Sequence, residues 1–404
     1  MVFDKNGKVI GEVNDYDGYE LNITPILGQS LSLAIVHSIP PIHTNPIEGG
    51  FMLNSGVYQV NNTQANMNGI VQLVEGSDSW LQSLGKAQCE NSAWGTAEMI
   101  KELTESFGGI LEKQYTLYAT CGHDGGSISK QFDTELDTLR NIFTRVKALM
   151  PYKKIGVPCI YWIQGESDNT EQTPIETYKE ALINGIDAIY QIAREILGQR
   201  KPIKCITYQT SRGNKTHSQS GMAQMELCRD NALFAPSCPM YVGMLADDHA
   251  HISNWAQYLL GCYQGIQFYK WVANGHKQVG VMPLSFSRSG TKITIKFAVE
   301  CPPLKFCTDW VTNRTHYGFE VIRNGSDIIS NVSIKDIDTV EITCTSTVQA
   351  GDLVAYACQT DYGDRQEGSA GNLCDSQGDS IKCTVDGTEV SLNNYCFKFL
   401  HTME

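Results

Sequence analysis

The 404-residue sequence predicts an α/β domain built on a parallel sheet, followed by an all-β domain. Two observations predict this order. From about residue 18 to 275, short apolar segments alternate with longer segments of helical periodicity, which is typical of a parallel sheet covered by helices on both faces. From about residue 276 the apolar residues alternate at period two and no long helical pattern appears, as expected for a β-sandwich.

Five short apolar segments are predicted to form the parallel strands: 20–27, 114–121, 156–163, 203–210 and 239–246. The clearest helix is predicted over 174–197, where apolar residues recur at helical spacing. Thr173-Pro174-Ile175-Glu176 fits a capping box with proline at the first helical position, and Gly198 is expected to end the helix. A further helix is predicted over roughly 254–273.

The remaining segments complete the predicted organisation. An N-terminal arm (1–17) is expected to form a hairpin around Asn6-Gly7, and the irregular stretch from about 35 to 90 is expected to form functional loops. The α/β domain spans 18–275 and the β-domain 276–404, with a hairpin turn at Asn324-Gly325. Because the linker is short, the two domains are expected to pack together. Strand-like alternation in the β-domain occurs at 291–299, 338–344 and 352–358.

Composition excludes several classes of protein. A net charge of −13 would repel a phosphate backbone, so a nucleic-acid partner is not expected. No apolar run approaches the roughly 18 residues of a membrane span, and the N-terminus lacks the order of a signal peptide, so synthesis in the cytoplasm is expected. The 14 cysteines include no Cys-x-x-Cys pair, which argues against zinc and favours buried free thiols, with disulfides in the last third as the alternative.

Polar residues follow four of the predicted strands, at the edge where an open parallel sheet binds ligands. Each segment alone is more often a turn or a helix cap. Together they supply a hydroxyl, a glycine turn, an amide with carboxylates and an Asp/His pair, the groups that acyl transfer by a serine requires. The segments are 28–30, 121–127, 164–168 and 247–251.

The chemistry assigns a role to each group. Ser30 is the predicted nucleophile and needs a base, which His251 can supply because imidazole titrates near neutral pH. Asp248 lies three residues earlier, where its carboxylate can orient the imidazole. A register shifted by one residue, using Asp247 or His249, is the open alternative.

The oxyanion of the tetrahedral intermediate needs hydrogen-bond donors aimed at it. Three are predicted: the backbone N–H groups of Ser30 and Gly125, and the side-chain amide of Gln164. The sequence contains no Gly-x-Ser-x-Gly elbow, which disfavours an α/β-hydrolase.

The four segments resemble those of the SGNH (GDSL-like) hydrolase superfamily, and within it the sialate O-acetylesterase-like carbohydrate esterases. The most specific motif is Trp-Ile-Gln-Gly-Glu-Ser-Asp at 162–168, and the resemblance covers about residues 18–275. It implies a flavodoxin-like three-layer α/β/α fold and the catalytic set Ser30, His251 and Asp248. It also implies an oxyanion hole from Ser30, Gly125 and Gln164, with Glu166 bracing the loops. The accompanying motifs are Gly-Gln-Ser (28–30), Gly-Gly-Ser (125–127) and Asp-His-Ala-His (248–251).

This resemblance implies a serine esterase that removes O-acetyl groups from a carbohydrate, such as a bacterial surface glycan, without a metal or organic cofactor. The β-domain is expected to contact glycan or to serve in assembly. Segments such as 49–57 also resemble esterase modules of bacteriophage tail proteins, which suggests tail components or further copies of the chain as partners and the virion tail as location. The alternatives are a non-catalytic glycan-binding or structural tail protein, and a phospholipid or thioester hydrolase of the same fold.

Overall fold

The protein is described from a computed structural model, which covers the side chains of residues 18–33, 41–60, 64, 66–76, 89–108, 115–246, 248–361 and 363–404, and the backbone of 2–3 and 9–11. Near the N-terminus, β1 (Val2–Phe3) pairs antiparallel with β2 (Val9–Gly11). The predicted hairpin around Asn6-Gly7 stays a prediction, because that turn lies outside the described residues.

A mostly parallel sheet forms the centre of the α/β domain. Its strands run in the order β10-β9-β8-β3-β6-β4-β5, with β7 beside β3, and each neighbouring pair is parallel except β4 and β5. The order β6-β3-β8-β9-β10 is the flavodoxin-like order 2-1-3-4-5, which confirms the predicted fold class. The strands are β3 (Leu21–Gly28), β4 (Gly50–Leu53), β5 (Ile70–Gln72), β6 (Tyr115–Thr120), β7 (Ile155–Gly156), β8 (Cys159–Ile163), β9 (Lys204–Gln209) and β10 (Phe234–Pro239).

The predicted strand at 239–246 is wrong. The strand in this region is β10, which ends at Pro239 and is followed by a 3-10 turn at Met240–Val242. Its two prolines, Pro236 and Pro239, made the segment unlike a strand in the sequence. An edge strand tolerates them because one side of its backbone needs no hydrogen-bond partner. Two further strands, β4 and β5, lie within the stretch predicted as loops and were too short to show a pattern.

Helices cover both faces of the sheet. α2 packs against α8, while α6 packs against both α4 and α7 in a second group. The described helices are α1 (Ser30–Leu33), α2 (Ser92–Phe107), α3 (Ile128–Gln131), α4 (Glu135–Leu149), α5 (Glu166–Glu171), α6 (Ile175–Leu197), α7 (Gln219–Asp230) and α8 (Asn254–Gln267), which continues as a π-helical segment at Phe268–Ala273.

Helix α6 confirms the predicted helix but not its predicted cap. Pro174 precedes the helix in an extended conformation, and the Thr173 hydroxyl donates to Asp168 at 2.7 Å instead of capping the helix. The buried Asp168 carboxylate therefore takes the hydrogen bond that the capping box would have used. At the other end Gly198 has φ 73°, the left-handed conformation that ends many helices.

The β-domain contains two four-stranded antiparallel sheets, β11-β12-β17-β16 and β15-β14-β18-β22. The rings of Phe286 on β11 and Phe297 on β12 lie 5.6 and 6.2 Å from the ring of Phe399 on β22, so the two sheets pack against each other. Asn324 and Gly325 have positive φ angles, as the predicted hairpin turn requires.

The strands of this domain are β11 (Met282–Ser289), β12 (Lys292–Ala298), β13 (Lys305–Phe306), β14 (Phe319–Arg323), β15 (Ser326–Asp327), β16 (Ile329–Asp336), β17 (Thr339–Cys344), β18 (Leu353–Tyr356), β19 (Leu373–Cys374), β20 (Lys382–Val385), β21 (Thr388–Ser391) and β22 (Phe399–Thr402). Short 3-10 turns lie at Thr315–Gly318 and Gln377–Asp379.

The two domains are joined through a buried lysine. Lys398 of the β-domain is 1% exposed, and its ammonium donates to the backbone carbonyls of Ser211 and Gly213 at 2.7 and 2.8 Å. Its backbone also exchanges two hydrogen bonds with the Gln209 side chain at the end of β9. Burial lowers the pKa of Lys398. The domains pack together as expected, while the boundary near residue 276 stays a prediction.

All fourteen cysteines lie within the described residues as free thiols, and twelve of them are buried. This agrees with the predicted free thiols. Among the helices that the structure describes, none has the length and apolar character needed to cross a membrane.

Candidate active site

Ser30 follows a turn whose backbone conformation requires glycine at position 28. Gly28, at the end of β3, has φ 134°, and a Cβ there would lie 2.0 Å from the carbonyl oxygen of Ile163 on β8. A Cβ on Gly122, just after β6, would lie 2.1 Å from the Gly28 carbonyl oxygen. Two glycines therefore let the ends of three neighbouring strands meet beneath Ser30, which is the first residue of α1.

Hydrogen bonds from three elements fix this turn. The Ser32 hydroxyl donates to the Gln29 carbonyl at 2.7 Å, and the Thr120 hydroxyl at the end of β6 donates to the Ser32 carbonyl at 2.6 Å. From α8, the Gln257 amide donates to the Leu31 carbonyl at 2.8 Å. Ser30 is held in place by these bonds and is 7% exposed.

The structure brings the predicted serine, histidine and aspartate together. His251 Nε2 lies 2.9 Å from Ser30 Oγ, and His251 Nδ1 lies 2.6 Å from Asp248 Oδ2. The other Asp248 oxygen accepts from the backbone N–H groups of Ala250 and His251, both at 3.0 Å, so the carboxylate shapes the turn that carries the histidine. His251, and not His249, contacts Ser30; Asp247 lies outside the described residues.

This chain of contacts suits proton transfer. A carboxylate can only accept, so His251 Nδ1 carries the proton that faces Asp248, and Nε2 is left to accept the proton of the Ser30 hydroxyl. The side chains of His251 and Asp248 are 26% and 22% exposed, which leaves the imidazole open to a substrate.

Two of the three predicted oxyanion donors are available. Within the described part of the chain, the backbone N–H groups of Ser30 and Gly125 donate to no acceptor. The Ser167 hydroxyl reaches the Gly125 carbonyl at 3.4 Å, and the Ser167 N–H reaches the Gln29 side chain at 3.4 Å. These long contacts place the turns after β3, β6 and β8 beside one another.

The predicted oxyanion role of Gln164 does not fit this arrangement. The side chain is fully buried, and its amide nitrogen donates to the Gly126 carbonyl at 3.2 Å and to Asp168. Its oxygen accepts from the Tyr178 hydroxyl at 2.9 Å. Both N–H groups are thus used within the protein, and Gln164 ties the glycine turn to the loop after β8.

Asp168 and Glu166 connect the same loops. Asp168 accepts from the backbone N–H of Ile128 at 2.9 Å, which holds the start of α3. Glu166 accepts from the hydroxyls of Thr210, at 2.6 Å, and Tyr208, and so links the loop after β8 to the end of β9. Burial raises the pKa of both carboxyl groups. Glu166 lies where a bracing residue was expected.

Residues of the β-domain also hold the loop that carries the histidine, a function that sequence reasoning missed. Asp364 accepts from the Leu245 backbone N–H at 3.1 Å, and the Trp310 indole donates to the Val242 carbonyl at 2.8 Å. The Arg365 guanidinium stacks on the Trp310 ring at 3.8 Å. The β-domain is therefore part of the support of the site, beyond the glycan-contacting or assembly module that was expected.

A buried carboxyl lies behind the glycine turn. Glu135, at the start of α4, is 2% exposed, and one of its oxygens has no hydrogen-bond partner in the described part of the chain. Burial raises the pKa of Glu135 to about 7, against the smaller lowering effects of a hydrogen bond from its own backbone and of nearby His123. The group is therefore protonated in the folded protein over a pH range in which it would be ionised in the unfolded chain.

The Glu135→Gln variant should remove a pH dependence of stability. Because the folded pKa is raised from 4.5 to about 7, the native state binds the extra proton and loses stability as pH rises through that window, by at most about 3 kcal/mol. We expect the free energy of unfolding of the variant to match that of the wild type at about pH 4.5 and to exceed it at about pH 8. Urea unfolding at each pH measures both values. An unchanged pH slope would contradict this assignment.

No group of three or more His, Cys, Asp or Glu side chains within the described residues is arranged to hold a metal ion.

Comparison with solved structures shows that this fold occurs in another protein. No family model matches the sequence, and no curated protein matches it. Among solved structures, the carbohydrate acetylesterase XAC1771 of Xanthomonas citri matches over 95% of this chain and 81% of its own, with 15% identity and a TM-score of 0.55. The protein shares its fold with that structure over nearly its whole length.

Two further structures match a smaller share of this chain. A protein of Arabidopsis thaliana matches 63% of this chain over 100% of its own, with 15% identity and a TM-score of 0.43. NanS matches 63% of this chain over 97% of its own, with 12% identity and a TM-score of 0.42.

Proposed function

We propose that the protein is a serine esterase that removes small acyl groups, acetyl foremost, from a carbohydrate. The observation that carries this proposal is the hydrogen-bonded series Ser30–His251–Asp248 at the carboxyl edge of the sheet, with contacts of 2.9 and 2.6 Å. The fold shared with a carbohydrate acetylesterase supports the substrate class.

The first half of the reaction forms an acyl-enzyme. Ser30 Oγ attacks the ester carbonyl carbon while its proton passes to His251 Nε2. The carbonyl oxygen becomes an oxyanion, which the N–H groups of Ser30 and Gly125 stabilise. Collapse of this intermediate breaks the bond to the sugar oxygen, and His251 returns the proton to that oxygen, which releases the sugar hydroxyl.

The second half repeats these steps with water. Water attacks the acyl carbon and gives its proton to His251, and the collapse of the second intermediate returns the proton to Ser30 Oγ and releases the acid. In both halves the Asp248 carboxylate holds the imidazole and stabilises the imidazolium.

The test measures acetate released from a panel of O-acetylated glycans, including bacterial surface polysaccharides, with an aryl acetate as small substrate. We expect release from at least one glycan by the wild type. Hydrolysis of the aryl acetate without release from any glycan would point to another acyl substrate, such as a phospholipid or thioester. Failure on every ester would favour the non-catalytic alternative. A role on a phage tail, a homo-oligomeric state and synthesis in the cytoplasm stay predictions.

A further inference from the structure

A second histidine–carboxylate pair is present that the proposed reaction does not use. His43 Nδ1 lies 2.6 Å from Glu90 Oε1. Glu90 is fully buried, and its other oxygen accepts from the backbone N–H groups of Ile42 and His43 at 2.8 and 3.1 Å. All the contacts of this carboxylate therefore fix one short segment and one imidazole.

Aromatic rings hold this imidazole on its faces. The His43 ring stacks on Trp94 with a centroid distance of 3.9 Å and an angle of 12°, and the Tyr258 ring lies 4.7 Å away. Trp255 meets His43 edge-on at 6.0 Å and is partly exposed. With its side chain 18% exposed and Nδ1 engaged, His43 presents Nε2, which has no partner among the described residues.

The pair lies against the segment that carries the proposed catalytic histidine. Trp255 is in the first turn of α8, four residues after His251. The Glu90 backbone N–H reaches the Asn254 side chain at 3.3 Å, and Cys89 packs against Ala246. The His43 imidazole is thus anchored to both ends of the loop that holds Asp248 and His251.

The surrounding network is costly to bury, which indicates a purpose beyond holding a loop. Glu75 lies in the same network: its N–H donates to the His43 carbonyl at 3.1 Å, and its side chain accepts from Asn91 at 3.0 Å. Burial, and then the neighbouring Glu90 carboxylate, raise the pKa of Glu75. The backbone bonds to Glu90 already fix the segment 42–43, so the imidazole, whose Nε2 has no partner in the described part of the chain, is not needed for that task.

We propose that His43 and Trp255 form a subsite for a sugar ring next to the serine. Trp255 offers apolar surface to the C–H face of the sugar, and His43 Nε2 makes a hydrogen bond to one of its hydroxyl groups. Sugar rings combine an apolar face with hydroxyl groups, and sites that select such ligands pair aromatic surface with a few rigidly held polar atoms. This subsite rests on the proposed function and identifies the two residues that bind the sugar.

Two isosteric variants separate the ring nitrogens. Asparagine at this position keeps a donor near Nδ1 for Glu90 and removes Nε2, whereas glutamine keeps a donor near Nε2. We expect His43→Asn to lower kcat/KM on an O-acetylated glycan by about ten- to hundredfold, the effect of one lost hydrogen bond at a buried site, and His43→Gln to recover most of it. The loss on an aryl acetate, which has no sugar, should stay within about threefold for either variant.

A variant of Trp255 tests the subsite independently of His43. Trp255→Ala should raise KM on the glycan more than it lowers kcat, and it carries the test where His43→Asn fails to fold. Equal losses on both substrates would show that the cluster only supports the loop, and no loss on either would remove it from the site; both results overturn the subsite. A wild-type enzyme that releases no acetate from any glycan would instead overturn the proposed function on which the subsite rests.

Discussion

Ser30→Ala should lower turnover of an aryl acetate by about a millionfold, the loss that follows removal of a serine nucleophile acting as a unit with its base. The variant removes a single hydroxyl from a residue that is 7% exposed, so the fold should remain intact. Steady-state hydrolysis and thermal unfolding of the two proteins check both statements.

A nearby hydroxyl provides the control. The Ser167 hydroxyl contacts only the Gly125 carbonyl, at 3.4 Å, in the described part of the chain, and Ser167→Ala should keep activity within a few-fold of the wild type. If Ser30→Ala kept a tenth of the wild-type rate, another residue would be the nucleophile.

His251→Ala should cost about as much as Ser30→Ala, because nucleophile and base act in the same step. For the same reason the double variant Ser30→Ala/His251→Ala should be no slower than either single variant. Rates of the three variants on one aryl acetate, measured against the uncatalysed reaction, test this lack of additivity. Losses that multiplied in the double variant would separate the two residues into independent steps.

The neighbouring histidine tests the register of this segment. His249 is exposed and has φ 55°, and its backbone N–H donates to the Ala246 carbonyl at 2.9 Å. His249→Ala should keep most of the activity and lose a little stability, since alanine tolerates a positive φ less well than histidine. An inactive His249→Ala with an active His251→Ala would reverse the assignment made from the contact to Ser30.

The parallel sheet was predictable because its strands are short, apolar and separated by helices with a clear period. The exceptions are β4 and β5, which are too short to show a pattern, and β10, where Pro236 and Pro239 interrupt the pattern and only the position at the sheet edge explains them. The contact of Ser30 with His251 was also predicted from this sheet edge, although the strand expected to end just before Asp248 ends at Pro239. The 3-10 turn at Met240–Val242 and a loop lie between that strand and the histidine.

The partners of buried polar groups were not predictable. Gln164 stood in the expected motif, but whether its amide faces a substrate depends on Asp168, Gly126 and Tyr178, and no spacing rule says which acceptor it meets. The bond from Leu245 to Asp364 joins residues 119 positions apart, and the one from Lys398 to Ser211 spans 187. Contacts at this separation leave no local pattern in a single sequence.

The buried Lys398 has a consequence for when the protein becomes active during its synthesis. Domains generally begin to fold as they leave the ribosome, the N-terminal one first. Here Lys398 follows Ser211 by 187 residues, so its ammonium can donate to the carbonyls of the loop at 211–213 only late in synthesis. Asp364 likewise reaches the histidine loop only once the β-domain has folded. A nascent α/β domain would carry its nucleophile on loops that still lack these supports. If the proposed function holds, we therefore expect hydrolysis to begin only after translation has passed residue 398, so that the protein stays inactive while it is being made.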